Sequence, residues 1–85
     1  MYKVEWRPKA YRQLRKIDDG GTQRRIYDAV GALANWPDCS GVKALRGRGD
    51  YQLRVGRWRV IFEVLRSVRI ISIEEVKKRN ERAYD

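Results

Sequence analysis

The feature that most constrains this chain is a succession of three strand-like runs packed into residues 51–73 with almost no chain left over for connections. Over residues 51–55, Tyr51, Leu53 and Val55 alternate with Gln52 and Arg54. Gly56 permits a tight turn, and Trp58, Val60, Phe62 and Val64 then alternate with Arg57, Arg59, Ile61 and Glu63. Ser67 marks the next turn before a further run at residues 68–73. Connections this short favour antiparallel neighbours, because a parallel pair needs a crossover of a dozen or more residues. Period two also sorts the side chains: if Tyr51, Leu53, Val55, Trp58, Val60 and Phe62 face a core, then Gln52, Arg54, Arg57 and Arg59 project from the opposite face.

The first half supplies what covers that core. Residues 2–7 alternate, with Tyr2, Val4 and Trp6 on one side and Lys3, Glu5 and Arg7 on the other, which predicts a further strand. Pro8 ends it and suits the first turn of a helix whose apolar stripe is Ala10, Leu14 and Ile17, with Arg12, Arg15 and Lys16 toward solvent. The Asp18-Asp19-Gly20-Gly21 turn leads to a second helix, with Thr22 as its expected N-cap and Ile26, Ala29 or Val30, and Leu33 as its stripe. Helices this short are not stable alone, so they are expected to pack as an antiparallel hairpin on the sheet. Residues 74–85 are charged almost throughout and are expected to form a short C-terminal helix or tail that starts near Glu74 and Glu75 and is held by Val76, Ala83 and Tyr84. The expected fold is α+β: an N-terminal strand and helical hairpin on a mostly antiparallel four-stranded sheet, one domain over residues 1–85.

Composition then excludes chemistry. The chain has no His and a single Cys39, so it holds no His-containing triad, no intramolecular disulfide and no Cys/His zinc set; no metal and no cofactor are expected. The N-terminal residues lack the apolar core of a secretory signal, and no apolar run approaches the roughly 18 residues that span a bilayer. A cytoplasmic protein with no membrane partner is the expectation.

Charge points to an anionic partner. Lys and Arg total 20 against 11 Asp and Glu, a formal net charge of +9. Residues 43–59 hold Lys43, Arg46, Arg48, Arg54, Arg57 and Arg59 against Asp50 alone, whereas residues 60–85 are nearly balanced. Arg outnumbers Lys 14 to 6, and the planar guanidinium binds phosphate oxygens through paired hydrogen bonds and stacks on bases. A second cluster, Lys77, Lys78, Arg79, Arg82 and Tyr84, sets an aromatic ring beside cations. The bland alternatives are a solvated basic face that docks an acidic protein, and a charged chain end with Tyr84 packed on the sheet.

The run LRGRGDYQLRVGRWRVIFEV at residues 45–64, followed by IISIEEVKKRNERAYD at 70–85 and preceded by a strand and helical hairpin, resembles the RelE/ParE superfamily of type II toxin–antitoxin toxins over nearly the whole chain. Members of the RelE branch cut mRNA in the ribosomal A site, whereas ParE members bind DNA gyrase and poison it. The short helical hairpin, the LRG and the basic-aromatic C-terminus resemble the RelE branch more. The resemblance implies catalytic roles for Arg54, Arg59, Arg79 and Tyr84, with Arg59 in WRVIFEV the closest match. It implies RNA contacts by Lys43, Arg46, Arg48, Gln52, Arg57, Lys77, Lys78 and Arg82. Gln52 departs from the pattern, because the family carries a basic residue there. A nuclease without His or metal is expected to use the RNA 2′-hydroxyl as nucleophile, with arginines stabilising the phosphorane and Tyr84, Lys77, Lys78 or Glu63 moving protons. The implied partners are mRNA and ribosomal RNA, a cognate antitoxin whose acidic segment covers the basic face, and DNA only through the toxin–antitoxin complex. The competing readings are a ParE-like gyrase inhibitor and a non-catalytic nucleic-acid-binding protein.

Overall fold

The computed structural model describes residues 1–45 and 49–78. Strand β1 (Lys3–Trp6) leads into helices α1 (Pro8–Arg15) and α2 (Gly20–Gly31), and a 3₁₀ turn (Ala32–Asn35) closes the helical segment. Strands β2 (Val42–Ala44), β3 (Asp50–Val55), β4 (Trp58–Leu65) and β5 (Ile70–Lys78) follow. They form one five-stranded sheet in the order β1-β5-β4-β3-β2, antiparallel except where β1 runs parallel to β5. The helical segment carries the chain from one sheet edge to the other, and the meander returns it to β1's side.

Pro8 stands in the first turn of α1, as its missing N–H and restricted φ favour. Ala10, Leu14 and Ile17 are buried, as are Ile26, Val30 and Leu33 of the second helical stretch. They meet Leu53, Val60, Phe62, Ile71, Ile73 and Val76 from the sheet. Trp36, Tyr51 and Phe62 form an aromatic cluster at one end, with Trp36 edge-on to Tyr51 at 4.6 Å and Tyr51 stacked on Phe62 at 5.7 Å between ring centroids.

Four expectations need correction. The sheet has five strands, because Val42–Ala44 pairs with Tyr51–Leu53 as an edge too short for alternation to reveal. The α2 cap is Asp19, whose Oδ1 accepts from Gly21 N–H at 3.1 Å; Thr22 instead donates its hydroxyl to Asp19 Oδ2 at 2.7 Å. The last strand begins at Ile70, after a turn in which Arg69 takes a φ of 55°.

The fourth correction matters most for function. Residues 74–78 continue β5 instead of opening a helix, because the edge of β4 offers them hydrogen-bond partners out to Trp58. Pairing slips between Ile61 and Phe62: Ile61 opposes Glu75 while Phe62 opposes Ile73, so Glu74 is an extra, bulged residue. The bulge inverts the side-chain parity of everything after it. Val76 therefore turns into the core at 3% exposure, and Lys77 turns to the face away from the helices. β1 stops pairing at Trp6, and beyond that point Gln13 of α1 accepts the Val76 N–H at 2.7 Å, taking the place of a neighbouring strand. The remainder of the expected C-terminal helix or tail, with Ala83 and Tyr84, lies outside the described residues. Among the described residues no helix is long and apolar enough to cross a membrane.

Candidate functional site

The register of β3, β4 and β5 sets Arg54 directly opposite Arg59, and Arg59 directly opposite Lys77. Three cations thus form one row across adjacent strands on the sheet face away from the helices. The neighbouring row is Lys43, Gln52, Ile61 and Glu75. Adjacent strands lie about 4.8 Å apart, and like charges placed directly opposite one another destabilise a sheet. Lys77 has relief from Glu75, whose Oε1 lies 3.7 Å from its Nζ, and Lys9 of α1 holds the other carboxylate oxygen at 3.3 Å. No carboxylate among the described residues stands within ion-pair distance of Arg54 or Arg59.

A cleft of about 410 Å³ opens over the same place, lined by Gly41, Val42, Lys43, Leu45, Gln52, Arg54, Gly56, Trp58 and Arg59. Four predicted residues, Lys43, Gln52, Arg54 and Arg59, thus meet in one concavity, with Lys77 beside Arg59. The short strand β2 supplies its outer wall. Gly41, with a φ of 74°, delivers the chain into β2, and its carbonyl accepts the Arg54 N–H at 2.9 Å, fixing the backbone beneath the Arg54 side chain.

Two expected members sit elsewhere. Arg57 occupies the second position of the Gly56-Arg57 turn, where alternation no longer assigns a face; Gly56 takes a φ of 59° at the first position, as a two-residue hairpin requires. Lys78 opposes Trp58 and therefore belongs to the other side of the sheet, again because of the bulge. Both line a separate hollow of about 250 Å³ with Thr22, Arg25, Val55, Gly56 and Trp58. Glu63, considered for proton transfer, lies four residues along β4 from Arg59, about 13 Å away at about 3.3 Å per residue. It faces Asp50 on one side and Ser72 on the other, and Ser72 is flanked by Glu5. Arg46, Arg48, Arg79, Arg82 and Tyr84 lie outside the described residues.

Sequence reasoning missed the β2 wall, Trp58 as a lining residue, and Glu75 as a carboxylate beside the basic row. A Gly followed by Val-Lys-Ala was the available signal for β2; Glu75 was hidden by the expectation of a helix. Cys39 is half-buried, its thiol pushed up by burial first and by Asp38 second, which makes it a poor nucleophile. Among the described residues no group of three or more His, Cys, Asp and Glu side chains is placed to hold a metal ion.

Known structures share this architecture. The toxin–antitoxin complex RelBE2 from Mycobacterium tuberculosis matches at 23% identity and a TM-score of 0.79, covering 92% of this chain and 98% of that one. The RelE–RelB complex from Pyrococcus horikoshii matches at 26% identity and a TM-score of 0.80, over 94% and 97% of the two chains. The isolated RelE toxin from E. coli matches at 17% identity and a TM-score of 0.81, over 99% and 92%. Comparison with curated proteins gave no match. The family model of the ParE toxin of type II toxin–antitoxin systems matches residues 4–83, and with the RelE-like fold this confirms the resemblance carried by residues 45–64 and 70–85. The chain belongs to the ParE toxin family, within the RelE/ParE superfamily of type II toxin–antitoxin toxins.

Proposed function

We propose that this toxin is a ribosome-dependent mRNA endonuclease of the RelE kind, acting in the cytoplasm to stop translation. The observation that carries the reading is the row Arg54, Arg59, Lys77, whose two arginines lack a protein counter-ion among the described residues and line a cleft of about 410 Å³. In the reaction, the 2′-hydroxyl oxygen attacks the adjacent phosphorus and loses its proton. The bond to the 5′-oxygen then breaks as that oxygen gains a proton, leaving a 2′,3′-cyclic phosphate and a free 5′-hydroxyl. Negative charge builds on the phosphoryl oxygens in between, and Arg54 and Arg59 are set to neutralise it, a role in which charged donors outperform neutral ones.

Lys77 beside Arg59, together with Arg79 and Tyr84, carries the remaining charge and proton-transfer tasks. Arg stays protonated near neutral pH, too weak an acid to release its proton and with no free lone pair to accept one, so these tasks do not fall on Arg54 or Arg59. With no His, orientation of the substrate must supply much of the rate, and a ribosome that holds the mRNA provides it. Efficient cleavage of naked RNA by the purified protein would contradict this account.

The solved complexes of RelE-like proteins with their antitoxins support a cognate antitoxin here. The net charge of +9 favours an acidic antitoxin segment that covers the basic face. A second reading, gyrase inhibition, is favoured by the name of the matching family and by Gln52 standing where the RelE pattern has a basic residue. Mapping mRNA 5′ ends after induction, beside a gyrase supercoiling assay, separates the two. The expected result is new ends at ribosome-occupied codons, lost in Arg59→Gln with no fall in Tm, and unimpaired supercoiling.

A further inference from the structure

The β3–β4 turn end of the far face carries Arg54, Arg59 and Lys77; further along the strands lies the cross-strand row Asp50, Glu63, Ser72 and Glu5, with Lys3 one row beyond and Glu74 accepting the Ser72 hydroxyl at 2.7 Å. Arg54 and Asp50 are four residues apart on one strand, about 13 Å at about 3.3 Å per residue. A polyanion anchored at Arg54 and Arg59 meets carboxylates if it continues along the strands. Around the turn it meets cations: the hollow on the other side shares Gly56 and Trp58 with the cleft and is lined by Arg25, Arg57 and Lys78. Arg25 comes from α2, and its Nη2 lies 3.4 Å from where a Cβ on Gly56 would stand, so the guanidinium already leans over the turn.

Resting on the nuclease reading, we infer that the RNA strand crosses the β3–β4 turn, with one phosphate in the Arg54/Arg59 cleft and another in a second anion subsite formed by Arg25 and Lys78. Gly56 suits the crossing because a hydrogen at that position leaves the backbone low between the two hollows. None of the substrate's bases is specified by these contacts, since phosphate contacts position the strand without reading sequence.

The test is fluorescence anisotropy of the full chain with 3′-labelled oligoribonucleotides at low ionic strength, comparing a dinucleotide with a single phosphate and a hexanucleotide, each over a salt series. Wild type is expected to bind the hexanucleotide more tightly and with a steeper salt dependence. Arg25→Ala should weaken the hexanucleotide several-fold, reduce its log–log salt slope by about 0.7, the increment for one single-strand phosphate, and leave the dinucleotide unchanged. Arg59→Gln should weaken both ligands. Arg12→Ala, a loss of the same charge on the exposed side of α1, serves as the control and should change neither. Equal losses in Arg12→Ala and Arg25→Ala, an unchanged hexanucleotide in Arg25→Ala, or no length preference in wild type would each overturn the second subsite. Because binding is the readout, a length preference that depends on Arg25 stands even if ribosome-bound mRNA is left uncut, and that outcome would remove the nuclease reading alone.

Discussion

Arg54 and Arg59 face each other across β3 and β4, where a cross-strand pair normally contributes attraction. Their repulsion is a local cost that the core below must offset. Asp19 shows the opposite case, a charge whose hydrogen bonds outweigh its desolvation. The Thr22 hydroxyl, then the Gly21 N–H, and more weakly Arg25, hold its carboxyl below its ordinary value of 3.8. Its folded pKa is the lower one, so the stabilisation is complete above 3.8 and fades as pH falls through the folded value. Asp19→Asn keeps a capping oxygen and removes the titration. Its expected signature is a smaller loss of Tm between pH 4 and pH 2 than in wild type, measured by thermal unfolding across that range. The cap was missed in the sequence because Thr22 and Asp19 are both acceptable N-caps, and only the hydrogen-bond geometry shows that the hydroxyl serves the carboxylate.

Among the elements, β5 decides the most. Local propensity favours helix for Glu74, Glu75, Val76, Lys77 and Lys78, but the open edge of β4 overrides it. The bulge at Glu74 then decides which side chains join Arg59's row. Where β1 ends, Gln13 completes the β5 edge through the bond from Val76 N–H. Gln13→Ala leaves that half-buried donor without its acceptor and should cost about 1–3 kcal/mol in urea unfolding. Gln13→Glu keeps an acceptor at the same reach and should cost less; equal losses in both variants would show that the bond contributes little. Neither the bulge nor this strand-edge contact leaves a periodic signature, since each is a relation between separate segments, Gln13 and Val76 being 63 residues apart.

At the scale of the whole molecule, and among the described residues, one cluster of positive charge gathers at the β3–β4 turn end of the sheet, where Lys43, Arg54, Arg57, Arg59, Lys77 and Lys78 lie, beside a second over residues 3–16 of β1 and α1. Such an arrangement orients an approaching polyanion before contact and makes binding sensitive to salt. Gln52 sits in the row beside Arg54, opposite Lys43, and lines the same cleft. Gln52→Lys should therefore tighten oligoribonucleotide binding and steepen its salt slope by about 0.7, checked by the same anisotropy titrations. An unchanged slope would mean that no phosphate reaches this position. The departure at Gln52 thus becomes a tuning of affinity that can be measured.

The amino-acid sequence by itself determined the alternating runs, the two helical stripes, the turn at Gly56 and the grouping of basic residues on strand positions opposite the core side. These follow from period two, period 3.6 and the conformational freedom of glycine, all of which act between near neighbours in the chain. The tertiary structure alone decided that Lys77 joins Arg54 and Arg59, that Arg57 and Lys78 fall on the other side of the turn beside Arg25, and that Asp50, Glu63 and Glu5 share one cross-strand row. Strand order, register and a single bulge set those relations, and each depends on which distant segment offers hydrogen bonds and apolar cover.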